Sequence, residues 1–138
     1  MLIKKRKLIK QQKKKLSKIK ETRNKLKTSF GFYSVKTIEP CILTKKQLET
    51  GRRSLSKKLK KHIKIFVKVK LNRNVSEKPQ GIRMGKGKGS VSQKILKLKS
   101  YSSVFEIGLL NYKLANKQLL KLKKKLPVNS KVCWKGFS

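Results

Sequence analysis

A chain of 138 residues with 41 Lys and Arg against five Glu and no Asp has a net charge of +36 and room for one domain plus a tail. That density, roughly one uncompensated cation per four residues, opposes compaction of the free chain and implies an anionic partner. It also argues against catalysis by carboxylate pairs and against acidic metal sites, because the acids are too few and too scattered to assemble them.

Apolar residues make up 36% of the chain, low enough that an unaided fold is marginal and full order is expected only against the partner. Thirty-five of the 41 cations are lysine and Ala115 is the one alanine, a skew that suggests an AT-rich genome. Cys41, Cys133 and His62 cannot supply the four ligands of a zinc site, and no CxxC spacing exists. The two cysteines read as free buried thiols in a reducing compartment, with a lone disulfide as the alternative. No apolar run approaches the roughly 18 residues of a membrane span. The start, Met1-Leu-Ile-Lys-Lys-Arg6, lacks the apolar core of a secretory signal, and the Lys-rich, Ser-poor segment behind it does not resemble a mitochondrial presequence.

In chain order, residues 1–28 form a basic tail with a thin helical stripe of Ile9, Leu16, Ile19 and Leu26, expected to order on an anionic surface. A membrane-surface helix is the rival, but the stripe has no Trp or Phe anchor. Ser29 to Lys36 reads as a strand. Within it Phe30, Phe32 and Tyr33 offer base stacking, with core packing the expected role for at least two of them. Thr44 and Gln47 match a capping box. The helix behind it aligns Leu48, Leu55, Leu59 and His62, with His62 read as a helix-end residue. Ile63 to Leu71 alternates as a strand, one face core and the other mostly basic. Asn72 to Ser90 reads as one long functional loop containing Pro79 and four glycines. Val91 to Lys99 and Val104 to Ile107 read as strands. Asn111 caps a second helix with Ala115, Leu119, Leu122 and Leu126 on its buried side, Pro127 ends it, and Val132 to Trp134 is a last strand. The sum is an α+β fold, two helices packed on a mixed sheet, with residues 29–138 as a single domain.

Within the loop, Gly81-Ile-Arg-Met-Gly-Lys-Gly-Lys-Gly-Ser90 alternates glycine with lysine, which suits close approach to a phosphate backbone. It fits no nucleotide motif. Five positions after Gly81 stands Lys86, so the Walker register fails, and Gly85, Gly87 and Gly89 give G-x-G-x-G instead of G-x-G-x-x-G. No triad, metal site or cofactor is expected. Abundant basic surface predicts nucleic-acid binding that weakens steeply with salt. A basic tail, a basic helix face and a flexible glycine loop suit structured RNA. A histone-like DNA-compacting protein is the alternative, carried by charge alone.

Glu77-Lys-Pro79 followed by Arg83-Met-Gly-Lys-Gly-Lys-Gly89 resembles the signature of ribosomal protein sixteen of the large subunit, a bacterial and organellar family. Ser29-Phe-Gly31 with Val35-Lys36 resembles its first strand, and Leu43-Thr-Lys-Lys-Gln-Leu-Glu49 with Arg52-Arg53 its first helix. Phe105-Glu106 and Lys125-Leu-Pro127 follow in order. The resemblance implies a structural protein bound to large-subunit ribosomal RNA beside the aminoacyl-tRNA site. Arg83, Met84, Gly85, Lys86, Gly87, Lys88 and Gly89 would form the loop pointing towards tRNA and the peptidyl-transferase region. Ribosomal RNA is expected at Lys4, Lys5, Arg6, Lys7, Lys13, Lys14 and Lys15 of the tail, and at Lys45, Arg52, Arg53 and Lys78. Partners would be that RNA, tRNA and neighbouring ribosomal proteins, with no membrane and no small-molecule substrate. After the loop the family usually has a Trp-containing strand and a Pro-Gly turn, where this chain has Ser92 to Ser100 and then Tyr101-Ser-Ser103. With the compositional skew, the resemblance suggests an organelle-encoded, mitochondrial member; plastid or bacterial origin stays open.

Overall fold

The computed structural model describes residues 28–59, 63–71, 73–85, 87–108 and 111–135. The expected tail helix and His62 lie outside the described residues. The elements run β1 (Tyr33–Thr37), β2 (Cys41–Thr44), α1 (Lys45–Lys58), β3 (Ile65–Val67), β4 (Arg73–Glu77), β5 (Ser90–Leu98), β6 (Ser103–Ile107), α2 (Tyr112–Lys125) and β7 (Ser130–Trp134).

These strands make two antiparallel sheets, ordered β3-β6-β1-β7 and β2-β5-β4, instead of the one mixed sheet expected. The reason is topological. The crossover through α2 leaves β6 and β7 running the same way, but β1 lies between them, antiparallel to both. The connection through α1 leads from one sheet to the other, so it creates no parallel pair either.

Both helices start as their caps dictate. The Gln47 N–H donates to Thr44 Oγ1 at 3.3 Å while the Thr44 N–H donates to Gln47 Oε1 at 2.9 Å. The Lys113 N–H donates to Asn111 Oδ1 at 3.1 Å, and Leu126, just before Pro127, is the C-cap. Lys57 and Lys58 end α1 and Lys123, Lys124 and Lys125 end α2, where cations meet the negative end of the helix dipole. The expected apolar stripes pack inward. Leu55 and Leu59 from the first helix region meet Leu119, Leu122 and Leu126 from the second, with Val35, Phe105 and Ile107 from one sheet and Leu43, Leu96 and Leu98 from the other. One core therefore joins both sheets, each buried Leu or Ile contributing about 1.5–3 kcal/mol. Gly51 lets α1 come close: a Cβ there would lie 3.0 Å from the Phe105 ring and 3.3 Å from Leu122.

Four strand expectations need correction. The Ile63–Leu71 strand contracts to Ile65–Val67, because after a last bond from the Lys68 N–H to the Val104 carbonyl the chain leaves β6 and crosses to the other sheet. Ile63, Ile65, Val69 and Leu71 still pack on the core, whereas Val67 is exposed. The long loop 72–90 contains β4 and shrinks to residues 78–89. Arg73-Asn-Val-Ser-Glu77 has little strand propensity beyond Val75, and pairing with β5 imposes the extended form. β2, four residues ending at the helix cap, was not anticipated. The first strand begins only at Tyr33, Ser29, Phe30 and Gly31 before it being held by side-chain bonds described below.

Candidate nucleic-acid interface

β4 and β5 form a hairpin in the register Arg73↔Ile95 to Glu77↔Ser90, with an irregularity at Val75/Ser76. β2 covers β5 only from Ile95 to Leu98, so from Lys94 to Ser90 the sheet is two strands wide. The loop 78–89 closes this ribbon. Gly81, Gly85 and Gly87 have φ of +84°, +103° and +76°, with open space where a Cβ would stand. Gly89 differs: a Cβ there would lie 2.4 Å from the Glu77 carbonyl oxygen, so backbone meets backbone at the neck. The Lys78 ammonium donates to the Gly85 carbonyl at 2.5 Å, tying one side of the loop to the other. Arg83 and Lys88 are exposed, and Met84 is fully exposed. Ser76, Lys78, Gly87, Lys88 and Gly89 line a cleft of about 410 Å³ at the neck.

A second cleft, about 510 Å³, joins the start of α1 to the ribbon through Thr44, Lys45, Lys46, Glu77, Ser92, Gln93 and Lys94. Further along α1, Glu49 accepts two bonds from Arg52 (Nη2 2.7 Å, Nε 2.9 Å) and one from Arg53 Nε (3.0 Å). Hydrogen bonds from Arg52, then from Arg53, hold the Glu49 carboxyl at about 2, and Arg52 is in turn shifted upward by Glu49. Each guanidinium keeps further N–H groups that do not bond Glu49, so the exposed pair presents oriented donors suited to phosphate oxygens.

At the far side of the four-stranded sheet, the fully buried Glu106 carboxylate accepts from successive backbone N–H groups. These are Ser29 (3.2 Å to each oxygen), Phe30 (2.7 Å) and Gly31 (3.1 Å), and the Ser103 hydroxyl adds a bond at 3.0 Å. Burial pushes this carboxyl up, but the Phe30, Gly31 and Ser29 amides with the Ser103 hydroxyl outweigh it, and the net shift is downward. Gly31 fits against β6 only without a side chain, since its Cβ would lie 2.5 Å from the Ile107 carbonyl oxygen. Lys36 is 2% exposed and shifted downward by burial, partly opposed by Cys133 and Glu106. The expectation that two of Phe30, Phe32 and Tyr33 pack in the core fails: Tyr33 packs on it, but Phe30 is 67% and Phe32 43% exposed.

The structure thus gathers Lys78 with Gly85, Gly87, Lys88 and Gly89 at one neck, and sets Lys45 beside the same ribbon. It keeps Arg52 and Arg53 as a separate pair that lines neither cleft. Lys86 and the tail residues Lys4, Lys5, Arg6, Lys7, Lys13, Lys14 and Lys15 lie outside the described residues. Sequence reasoning used Phe105-Glu106 for the resemblance but missed what Glu106 does, although an acid between Phe105 and Ile107 in a chain almost without acids was a signal. It also missed Lys46, Gln93 and Lys94, which were indistinguishable from other exposed polar residues. Both cysteines are free, half-buried in separate sheets, with burial raising the Cys41 thiol to about 11. Among the described residues no His, Cys, Asp or Glu cluster could hold a metal, and no helix is long and apolar enough to cross a membrane.

The profile of the family described as Ribosomal protein L16p/L10e matches residues 3–133. The large ribosomal subunit protein uL16 of Kosmotoga olearia is 35% identical over 103 residues, covering 75% of this chain and 73% of the relative. The uL16c protein of Emiliania huxleyi is 34% identical over 103 residues, covering 75% of each. The chain belongs to the ribosomal protein L16p/L10e family, the uL16 proteins of the large ribosomal subunit, and serves as a structural part of the ribosome, not as an enzyme.

Proposed function

We propose that the protein holds large-subunit ribosomal RNA through its tail, the start of α1, Arg52, Arg53 and Lys78, and extends the loop from Arg83 to Gly89 towards tRNA at the aminoacyl site. One observation carries the reading: a two-stranded ribbon ends in exposed loop 78–89, in which Gly81, Gly85 and Gly87 adopt left-handed backbone and Met84 is wholly uncovered. Beyond its neck, the described residues from Gly81 to Gly85 are exposed, and Gly81, Gly85 and Gly87 have open space where a side chain would stand. Lysine and arginine on it and along the ribbon release counterions on meeting phosphates, which supplies affinity without base selection. In this reading residues 1–28 are an RNA-binding tail and residues 29–138 one α+β domain with neighbouring ribosomal proteins as further partners. The lysine-rich, alanine-poor composition supports an organelle-encoded member working in mitochondrial ribosomes.

Crosslinking from Arg83 and Lys86 in purified particles tests the loop assignment. Capture of tRNA is the expected result, and capture of ribosomal RNA alone would remove tRNA from it. Fractionation of the source cells tests the compartment, with the chain expected among mitochondrial large subunits. Its recovery in plastid or cytosolic ribosomes would overturn that assignment.

A further inference from the structure

We propose that residues 29–32 present an aromatic platform for unpaired RNA nucleotides, separate from the loop, with Phe30 as its main stacking surface and Phe32 as a second. This rests on the RNA-binding reading above and names a contact that charge alone does not provide. Tyr33, Val35, Ile65, Phe105 and Ile107 pack with the helix leucines, so by alternation Phe66 and Glu106, and Phe30 and Phe32 in the segment leading into β1, belong to the opposite side. There Phe30 stacks on Phe66, ring centroids 5.6 Å apart and tilted by 30°. The Lys68 ammonium lies 4.4 Å from the Phe30 ring centre, and the Lys135 ammonium 5.8 Å from that of Phe32. Phe30 nevertheless stays 67% exposed, so Phe66 and Lys68 cover only a minority of it.

Two features make this a built surface instead of a stray pair of aromatics. The first is rigidity. Glu106 fixes the Ser29, Phe30 and Gly31 amides, the Phe32 N–H donates to the Ile107 carbonyl at 2.9 Å, and the Lys135 N–H donates to the Phe32 carbonyl at 2.7 Å. The rings therefore stand on a backbone already ordered before binding, which lowers the entropic cost of a contact. The second is charge. A base stacked on Phe30 would bring its phosphates beside Lys68, and one on Phe32 beside Lys135, within a chain of net charge +36. Aromatic faces flanked by cations are the arrangement that accepts single-stranded bases without sequence preference. An apolar protein partner would gain nothing from the two ammonium groups.

The test compares the full-length protein with Phe30→Ala, Phe30→Leu and Phe30→Trp. Binding is measured to an unstructured oligouridylate and to fully paired RNA with the same number of phosphates, across a salt series. Phe30→Ala and Phe30→Leu are expected to weaken oligouridylate binding about tenfold and duplex binding less than about twofold, with the salt slope unchanged because no charge is removed. Phe30→Trp should bind at least as well as the parent. Phe32→Ala should show the same selectivity with a smaller loss. Equal losses on both RNAs, full activity of Phe30→Leu, or no loss in any variant would overturn the platform; in the last case, a neighbouring protein is the better occupant. Thermal unfolding of each variant controls for folding, and Glu106→Gln gives a second line, expected to reduce oligouridylate binding selectively while Phe30 itself is intact. Failure of the parent protein to bind ribosomal RNA in a salt-dependent way would instead sink the underlying reading.

Discussion

Glycine does opposite work at the two ends of this molecule. Beside the four-stranded sheet, Gly31 is required by contact, because any side chain would enter the backbone of β6. In the loop, Gly81, Gly85 and Gly87 are required by backbone conformation, with nothing near enough to touch a side chain. Gly89 stands between these regimes, in the loop yet pressed against Glu77. The contrast separates a region that encodes stability from one that encodes reach. Lysines populate both, so charge does not distinguish them.

The largest effect should come from the packed end. Replacing Glu106 with alanine leaves several amides without their acceptor and is expected to cost about 3 kcal/mol or more, read as a large fall in thermal midpoint; Gln should recover part of it. A midpoint within a degree of the parent would show that water replaces the carboxylate freely. Gly31→Ala follows at about 2–3 kcal/mol by overpacking, in the same measurement. Gly89→Ala should cost about 1–3 kcal/mol but locally, visible as faster amide exchange in β4 and the start of β5 while core amides are unchanged. Smallest in stability is Gly87→Val, about 1–2 kcal/mol of backbone strain confined to the loop. Its expected signature is impaired tRNA accommodation by particles that assemble normally. If assembly fails instead, and particles that do form accept tRNA normally, the loop is structural.

Acid should act on the packed end in a defined direction. The Glu106 carboxyl lies below its ordinary value when folded, so its contribution is complete above the usual carboxylate range. It declines as pH falls below that range and is gone once pH has passed the lowered folded value. Protection of the Ser29, Phe30 and Gly31 amides, measured against their intrinsic exchange rates at each pH, should therefore persist at mildly acidic pH and fall below it. Glu49, held at about 2, should keep Arg52 and Arg53 paired over the same range.

Both helices could be read in the sequence because local chemistry specifies them: Thr44 with Gln47, Asn111, Pro127, and leucines at helical spacing. β5 and β6 could also be read, since Leu96, Leu98, Val104 and Phe105 sit in short apolar runs. β4 could not, because Arg73-Asn-Val-Ser-Glu77 is extended only through its partner strand. Nor could the division into two sheets, which depends on β1 separating β6 from β7. Of the interface, the glycine–lysine loop was legible as a motif, whereas Glu106 was hidden because its amide partners lie more than seventy residues earlier in the chain. Phe30 and Phe32 were misread for a related reason: hydrophobicity predicts burial on average, and here the segment is pinned by a carboxylate in place of apolar packing.

The register of β5 gives the molecule a mechanical character. Its second half, from Ile95 to Leu98, is clamped between β2 and the core, while its first half runs outward with β4 alone beside it. This is a cantilever. At about 3.4 Å per residue, nine residues span roughly 30 Å, and the tip's position is set by how many residues stand beyond the clamp. Inserting or deleting cross-strand residues in pairs moves the tip by about 7 Å and keeps every side chain on its face, whereas single-residue changes turn the ribbon over. Strand length, counted in twos, thus sets how far the loop stands from the core, and on the proposed function it would set how far the loop reaches towards its partner.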